Sequence, residues 1–310
     1  MKKALSGLLT AAGILGTCSL YENSHFVRKD MEIASTLLTP DWNGVKAVFL
    51  TDLHETKYGP ANARLKQAIT DADPDFVLVG GDMIIAKRGA DPDFRVSTDL
   101  LRFLSGRWPV YYAIGNHEKR MIISPEVYPG WREKYFGVCR ECGVTVLSNR
   151  SVRLVRGNST LCLTGLDLPQ VYYRRGNPPH MDAQTLPRLL GRRSEDAFCL
   201  LLAHNPRYAA DYARWGADCT LSGHYHGGLV RVPGLGGVVS PELRFFSPYT
   251  GDLITREGMP EIISAGLGTH TIHVRLNNRP QLIVLHFRGE KQEGVPGRPA
   301  AVRVRPLPAG

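Results

Sequence analysis

The chain has 310 residues, with 38 Lys+Arg against 29 Asp+Glu and a formal net charge of +9. At 43% hydrophobic and 22% charged residues, the composition excludes a disordered chain, a collagen-like repeat and a multi-span membrane protein. The modest basic balance suits an anionic substrate or a membrane surface and implies no nucleic acid, and six Cys are too few to staple a chain this long.

The N-terminus reads Met1-Lys2-Lys3 and then runs from Ala4 to Tyr21 without a charge. Lysines followed by an apolar run are the n- and h-regions of an export signal. The run has 18 residues, near the lower limit for spanning a bilayer. Gly-Thr-Cys-Ser is a poor cleavage site, and Thr17 stands where a lipoprotein wants a small residue before Cys18. An uncleaved anchor needs no motif. Residues 1–30 are therefore expected to form a membrane anchor or signal segment. Lys2 and Lys3 would keep the N-terminus inside and the rest of the chain outside the cytoplasm; cleavage would make the protein secreted.

Residues 40–289 read as one domain. Residues 46–51 (KAVFLT) are a buried strand, and 61–73 a helix with apolar Leu65, Ala68, Ile69 and Ala72. Strands follow at 76–80 and 110–114, separated by a helix at 93–104, and 125–142 is largely helical. Continuous apolar strands between helices imply a sheet covered on both faces. Short strands at 144–147, 151–155 and 160–166, with Asn-Arg and Gly-Asn turns, suggest a change to antiparallel pairing. Strands at 200–203 and 220–222 flank a helix at 207–215, and strands at 228–232 and 281–287 close the series. One α/β domain with a mixed sheet, or two sheets packed face to face, accounts for this order. Cys139 and Cys142 make a lone CxxC, with no second pair for zinc, and are expected to be ordinary thiols. Residues 290–310 carry Pro and Gly without apolar periodicity and are expected to be a disordered tail.

Polar residues collect where strands end. Thr51-Asp52-Leu53-His54 follows the first strand, Gly80-Gly81-Asp82 the second and Gly115-Asn116-His117-Glu118 the third. His204 follows the strand at 200–203, and Gly223-His224-Tyr225-His226 the one at 220–222. Ligands bind beyond the carboxyl ends of strands in covered α/β sheets. Asp and Asn oxygens with imidazole nitrogens, and no thiolate, suit manganese, iron or zinc. Asp52 and His54 alternate about Leu53, as His224 and His226 do about Tyr225, so in extended backbone each pair faces one side. There are too many ligands for one ion, and two divalent ions sharing a carboxylate would use them all. Alone, each triplet is weak; their joint occurrence in this order carries the reading.

This set resembles the calcineurin-like metallophosphoesterase family over about residues 46–288. Within it, Gly266-Leu267-Gly268-Thr269 and Arg275-Leu276-Asn277-Asn278-Arg279-Pro280 are similar to the bacterial membrane-associated, YkuE/YaeI-like branch. The resemblance implies a four-layer α/β/β/α sandwich, the metallo-dependent phosphatase fold. It implies Asp52, His54 and His226 on a first metal, Asn116, His204 and His224 on a second, and Asp82 bridging them. Manganese is the first expectation, with iron or zinc as alternatives. His117 would face the phosphate and protonate the leaving group or stabilise developing charge, with Glu118 orienting it. The implied activity is hydrolysis of phosphate esters by a metal-bridging hydroxide. The substrate could be linked to a lipid or the cell envelope. Hydrolysis of UDP-2,3-diacylglucosamine pyrophosphate and a non-catalytic metal-binding scaffold are the alternatives. Asp167, His270, His273, Arg174 and Arg175 remain minor candidates for the cleft, each with a packing or surface role as its plainer explanation.

Overall fold

A computed structural model describes residues 2–232, 235–240, 245–270, 272–290 and 302–308, except the side chains of 2–9 and 11. In chain order, the first sheet receives β1 (Val27–Ser35), β2 (Lys46–Leu50), β3 (Phe76–Val79), β4 (Val110–Ala113) and β5 (Thr145–Leu147). The second receives β6 (Arg150–Arg156), β7 (Ser159–Leu166), β8 (Phe198–Ala203) and β9 (Cys219–Ser222). A ribbon, β10 (Val230–Val232) and β11 (Gly236–Val239), leads to β12 (Leu253–Arg256) and β13 (Met259–Ile263), which complete the second sheet. The chain returns to the first sheet with β14 (Gln281–Gly289) and β15 (Val302–Pro306). The orders are β15-β1-β14-β2-β3-β4-β5 and β12-β13-β9-β8-β7-β6.

The helices are α1 (Lys2–Ser24), α2 (Ala63–Ala72), α3 (Arg95–Ser105), α4 (Asn116–Ile123), α5 (Trp131–Glu141), α6 (Thr185–Leu190) and α7 (Ala209–Trp215). Side-chain alternation builds the layers. Ala47, Phe49 and Leu78 of the first sheet meet Leu161, Leu163, Leu200 and Leu221 of the second in one buried cluster. The opposite faces of the first sheet's strands, with Val48, Leu50, Val77 and Tyr112, pack on Leu65 and Ile69 of α2, Leu101 and Leu104 of α3 and Tyr135 of α5. The outer face of the second sheet packs Leu201 and Ala203 on Leu186 of α6 and Ala209 and Tyr212 of α7. The result is the four-layer α/β/β/α sandwich. Strands β2, β3, β4 and β5 pair in parallel, as do β7, β8, β9 and β13, so both sheets bring carboxyl ends to one edge.

The structure departs from the sequence expectations in several places. In the second sheet antiparallel pairing is confined to the flanks, β6 on β7 and β12 on β13, while its four central strands are parallel. The helix expected over 125–142 is shorter, because Pro125 and Pro129-Gly130 interrupt it and Gly130 caps α5 at φ +73°. Another helix, α4, begins directly at Asn116. The sheet also reaches beyond 40–289. β1 lies parallel to β14 although Arg28, Lys29, Asp30 and Glu32 broke its apolar pattern. Those charges are paired: Asp30 takes Arg28 and His286, each at 2.7 Å. β15 pairs antiparallel with β1 inside the stretch expected to be a disordered tail, while residues 291–301 and 309–310 lie outside the described residues. Edge strands of alternating Val and Arg are legible as strands only once their partner is in place.

Among the described residues, no helix is long and apolar enough to cross a membrane. The C-terminal end of α1 is tied to the body. The Glu22 carboxylate accepts from the Asn277 and Asn278 amides at 2.8 Å each, and Ser19 Oγ accepts from the Arg275 amide at 3.0 Å. The six cysteines are free, with Cys139 buried.

Candidate metal centre

The five polar motifs of the sequence meet at the shared carboxyl edge. Residues after β2, β3 and β4 approach from one sheet, and residues after β8 and β9 from the other. Asp52, His54 and His226 form one group, and Asp82, His204 and His224 a second, with candidate ligand atoms within 4.8 Å of one another in each. His204 Nε2 lies 3.2 Å from Asp82 Oδ2, while His54 Nε2 approaches the same oxygen at 3.9 Å. Asp82 is thus approached from both groups. His54 Nε2 and His226 Nε2 stand 3.7 and 3.6 Å from Asp52 Oδ1. Asn116 lines the cleft beside them and has an unpaired, buried Oδ1.

The convergence does not arise from strand alternation. Asp52, His54, Asp82, His224 and His226 all have φ between +46° and +70°. This left-handed backbone costs an L-residue roughly 1–2 kcal/mol. Five such residues in one place mark a site where local strain is held by the surrounding fold. Two glycines permit the close approach. A Cβ on Gly115 would stand 2.3 Å from the Asp82 amide nitrogen and Oδ1, and one on Gly223 would stand 2.1 Å from Asp52 Oδ2.

Hydrogen bonds sort the imidazoles into two kinds. The Nδ1 of His54 faces the Ile84 carbonyl at 3.2 Å, that of His204 the Gly80 carbonyl at 2.8 Å, and that of His226 the Gly268 carbonyl at 2.9 Å. A carbonyl only accepts, so each Nδ1 carries a proton and each Nε2 is turned to the carboxylates, where either a proton or a metal ion can bind, the arrangement of metal-ligating histidines. His117 is the reverse. Its Nδ1 accepts from the Ala86 amide at 2.9 Å, which leaves the proton on Nε2. His117 therefore presents a donor, in keeping with a role outside the ligand set.

The electrostatics fit divalent cations. Asp52 and Asp82 are buried, and among the described residues their ion-pair partners are all histidines. Burial pushes both carboxyls up, but facing histidines outweigh it and hold both below the usual carboxylate range, His226 and His204 for Asp52, and His204 and His117 for Asp82. Burial disfavours charge on His204, yet unless a cation stands between them Asp82 and Asp52 lift it to about 10 and favour a proton at the place a metal ion would take. Burial drives His224 down to about 3 and His226 well below its usual value. The Nε2 atoms of His54 and His204 and Oδ1 of Asn116 are buried without hydrogen-bond partners. Two buried carboxylates offset only by histidines, beside buried polar atoms without hydrogen-bond partners, favour cations, because weakly compensated buried charge and unsatisfied polar atoms are costly. Oxygen and imidazole donors suit two divalent ions.

Glu118 sits differently from its expected place. It does not bond His117. Its Oε2 accepts from the Asp82 amide at 2.9 Å and the Gly115 amide at 3.1 Å; its Oε1 accepts from the Met83 amide at 2.9 Å and Tyr112 Oη at 2.6 Å. Consecutive helical residues point about 100° apart, so Glu118 faces the Asp82 loop while His117 faces the cleft. Its carboxylate caps α4 and fixes the loop carrying Asp82. His117 is held instead by Asp82, whose Oδ1 accepts from the His117 amide at 2.8 Å, and by Ala86.

The minor candidates separate clearly. Asp167 pairs with Lys119 and Ser148 and anchors α4 to the second sheet. His273 does not line the cleft but bonds Oγ1 of Thr269, which does, at 2.8 Å. Arg175 and His270 line the cleft, as do Arg120 and Tyr173, which the sequence reading passed over. The aromatic and basic residues near the motifs were the available signal, but nothing in their spacing marked them. Arg275 is fully buried, and its guanidinium donates to the carbonyls of Ala265 at 2.8 Å and Gly268 at 2.9 Å, bracing the loop beneath His226.

Known proteins resemble this chain. A sequence profile described as "Calcineurin-like phosphoesterase" matches residues 45–228. The chain is 28% identical over 245 residues to the phosphodiesterase YaeI of Escherichia coli, covering 78% of this chain and 82% of that protein. It is 25% identical over 292 residues to the metallophosphoesterase YkuE of Bacillus subtilis, covering 91% and 93%. A crystal structure of a dimetal phosphatase from Danio rerio aligns with a TM-score of 0.41 at 14% identity, covering 73% of this chain and 88% of that one. With the matched profile spanning all five strand-end motifs, the chain belongs to the calcineurin-like phosphoesterase family and is a metal-dependent hydrolase of phosphate esters.

Proposed function

We propose that this hydrolase cleaves phosphodiesters at a pair of divalent ions, with manganese the first choice. The observation that carries the reading is the pair of buried carboxylates, Asp52 and Asp82, faced by imidazole Nε2 atoms and by no Lys or Arg among the described residues. Asp52, His54 and His226 would hold one ion and Asn116, His204 and His224 the other, with Asp82 within reach of both groups. When bound, such ions activate water and neutralise phosphate oxygens. The protein's own residues do the rest. His117 presents its Nε2 proton to the phosphate and stabilises charge on the oxygen that departs. Arg120 and Arg175 draw the anion into the cleft. Glu118 keeps Asp82 in place. The diester preference is supported by the name of the YaeI relative, a phosphodiesterase.

The test compares bis-p-nitrophenyl phosphate with p-nitrophenyl phosphate on metal-stripped and manganese-loaded protein. The stripped protein is expected to be inactive and the loaded protein to prefer the diester. Full turnover after stripping, or a monoester preference, overturns the reading.

The uncharged run Ala4–Tyr21 supports a second element of the proposal, retention at the cell membrane with the catalytic domain outside the cytoplasm. Ile14, Leu15, Leu20 and Tyr21 are exposed on α1, and apolar helices of this kind partition into lipid interfaces. The full chain is expected to float with phospholipid vesicles in a density gradient, whereas a chain lacking residues 1–17 stays below. A full chain that also stays below removes this element.

A further inference from the structure

One imidazole at the cleft belongs to neither metal group. His270 follows the Gly266-Leu267-Gly268 turn, whose backbone is stitched to the first ligand loop. The Leu267 amide donates to the Thr51 carbonyl at 3.0 Å, and the Gly268 amide to the Asp52 carbonyl at 2.6 Å. The buried Arg275 fixes the same turn from below through the Ala265 and Gly268 carbonyls. His270 is thus carried on a braced segment.

The ring centre of His270 lies 4.7 Å from that of His54 and 4.8 Å from that of His117, in tilted and edge-on arrangements. One nitrogen from each of His54, His117 and His270 falls within 4.8 Å of the others. His54 is committed to Asp52 and Asp82, and its Nδ1 to Ile84. His117 presents a donor. Two nitrogens less than about 5 Å apart can each reach one oxygen placed between them, since N–H···O bonds span about 2.7–3.2 Å. A neutral imidazole always carries one N–H, so this needs no change of protonation.

We infer that His270 is a second imidazole contact to the substrate, closing with His117 on one oxygen of a phosphodiester beside the Asp52–His54–His226 group. The inference rests on the phosphodiesterase reading above and adds to it a phosphate-binding residue outside the metal ligands. A hydrogen bond to a charged oxygen is strong enough to show in kinetics.

The experiment uses the full chain, loaded with manganese, and its His270→Ala and His270→Gln variants. Three readouts are taken: metal per chain, kcat/KM for bis-p-nitrophenyl phosphate, and the dissociation constant of orthovanadate by titration calorimetry. His270→Ala is expected to keep two metals per chain, lose about 10- to 100-fold in kcat/KM, and bind vanadate about 10-fold more weakly. His270→Gln restores part of both losses, because its amide donates a hydrogen bond; a merely structural role would not produce that rescue in vanadate affinity. Unchanged kcat/KM and vanadate affinity in His270→Ala overturn the inference. So does loss of a metal, which would make His270 a ligand. A wild-type chain inactive on the diester fails the phosphodiesterase reading instead, and the vanadate constants still judge His270.

Discussion

Asp82→Ala is expected to lose both metals and all turnover together. Asp82 Oδ2 is the oxygen approached by both groups, at 3.2 Å from His204 Nε2 and 3.9 Å from His54 Nε2. Removing it leaves each ion one ligand short and halves the buried negative charge that draws cations in. It also leaves the His117 amide without its acceptor, at a cost of about 1–3 kcal/mol for an unpaired buried donor. Asp82→Asn separates the two effects, since an amide oxygen keeps the acceptor while the charge is gone. Elemental analysis of purified protein should find less than one metal per chain in both variants, with thermal stability closer to wild type in the Asn form. Two metals per chain in Asp82→Ala would end the shared-ligand assignment.

His117→Ala should behave in the opposite way, keeping two metals per chain while kcat falls about 10²- to 10³-fold. The tautomer decides this. A side chain that accepts the Ala86 amide at Nδ1 and points Nε2–H at the cleft is arranged to donate a hydrogen bond, and a second proton at Nδ1 would confront Ala86 N–H. Burial also drives His117 well below its ordinary value, beyond what Asp82 restores. Of the two roles implied by the family resemblance, the geometry supports charge stabilisation over proton delivery. His117→Gln should then recover part of the rate, because a side-chain amide can donate too. Equal losses in the Ala and Gln variants would return His117 to proton transfer, and loss of a metal in His117→Ala would make it a ligand.

The sequence alone was enough to nominate the candidate ligands and the strand ends that carry them. Apolar runs such as FVLV at 76–79 are buried on both faces and have few alternatives, so strand ends could be located to within a residue or two. Each motif follows a strand, and that rule placed Asp52, Asp82, Asn116, His204 and His224 at one edge before any coordinates. The seven expected ligands and His117 all lie there.

Other features depended on contacts distant in sequence. β1 and β15 are strands because β14 and β1 offer unpaired edges, and their charges hid the period. The pattern Asp-x-His suggested extended backbone, whereas the residues reach the centre through left-handed turns made tolerable by Gly115 and Gly223. The direction of Glu118 depends on where α4 starts, and the position of His270 on a turn held by Thr51, Asp52 and Arg275. Most of all, which nitrogen of each histidine carries a proton is set by the carbonyl or amide lying against it. Residue type and spacing can nominate a histidine, but only the packed backbone assigns it as ligand or donor.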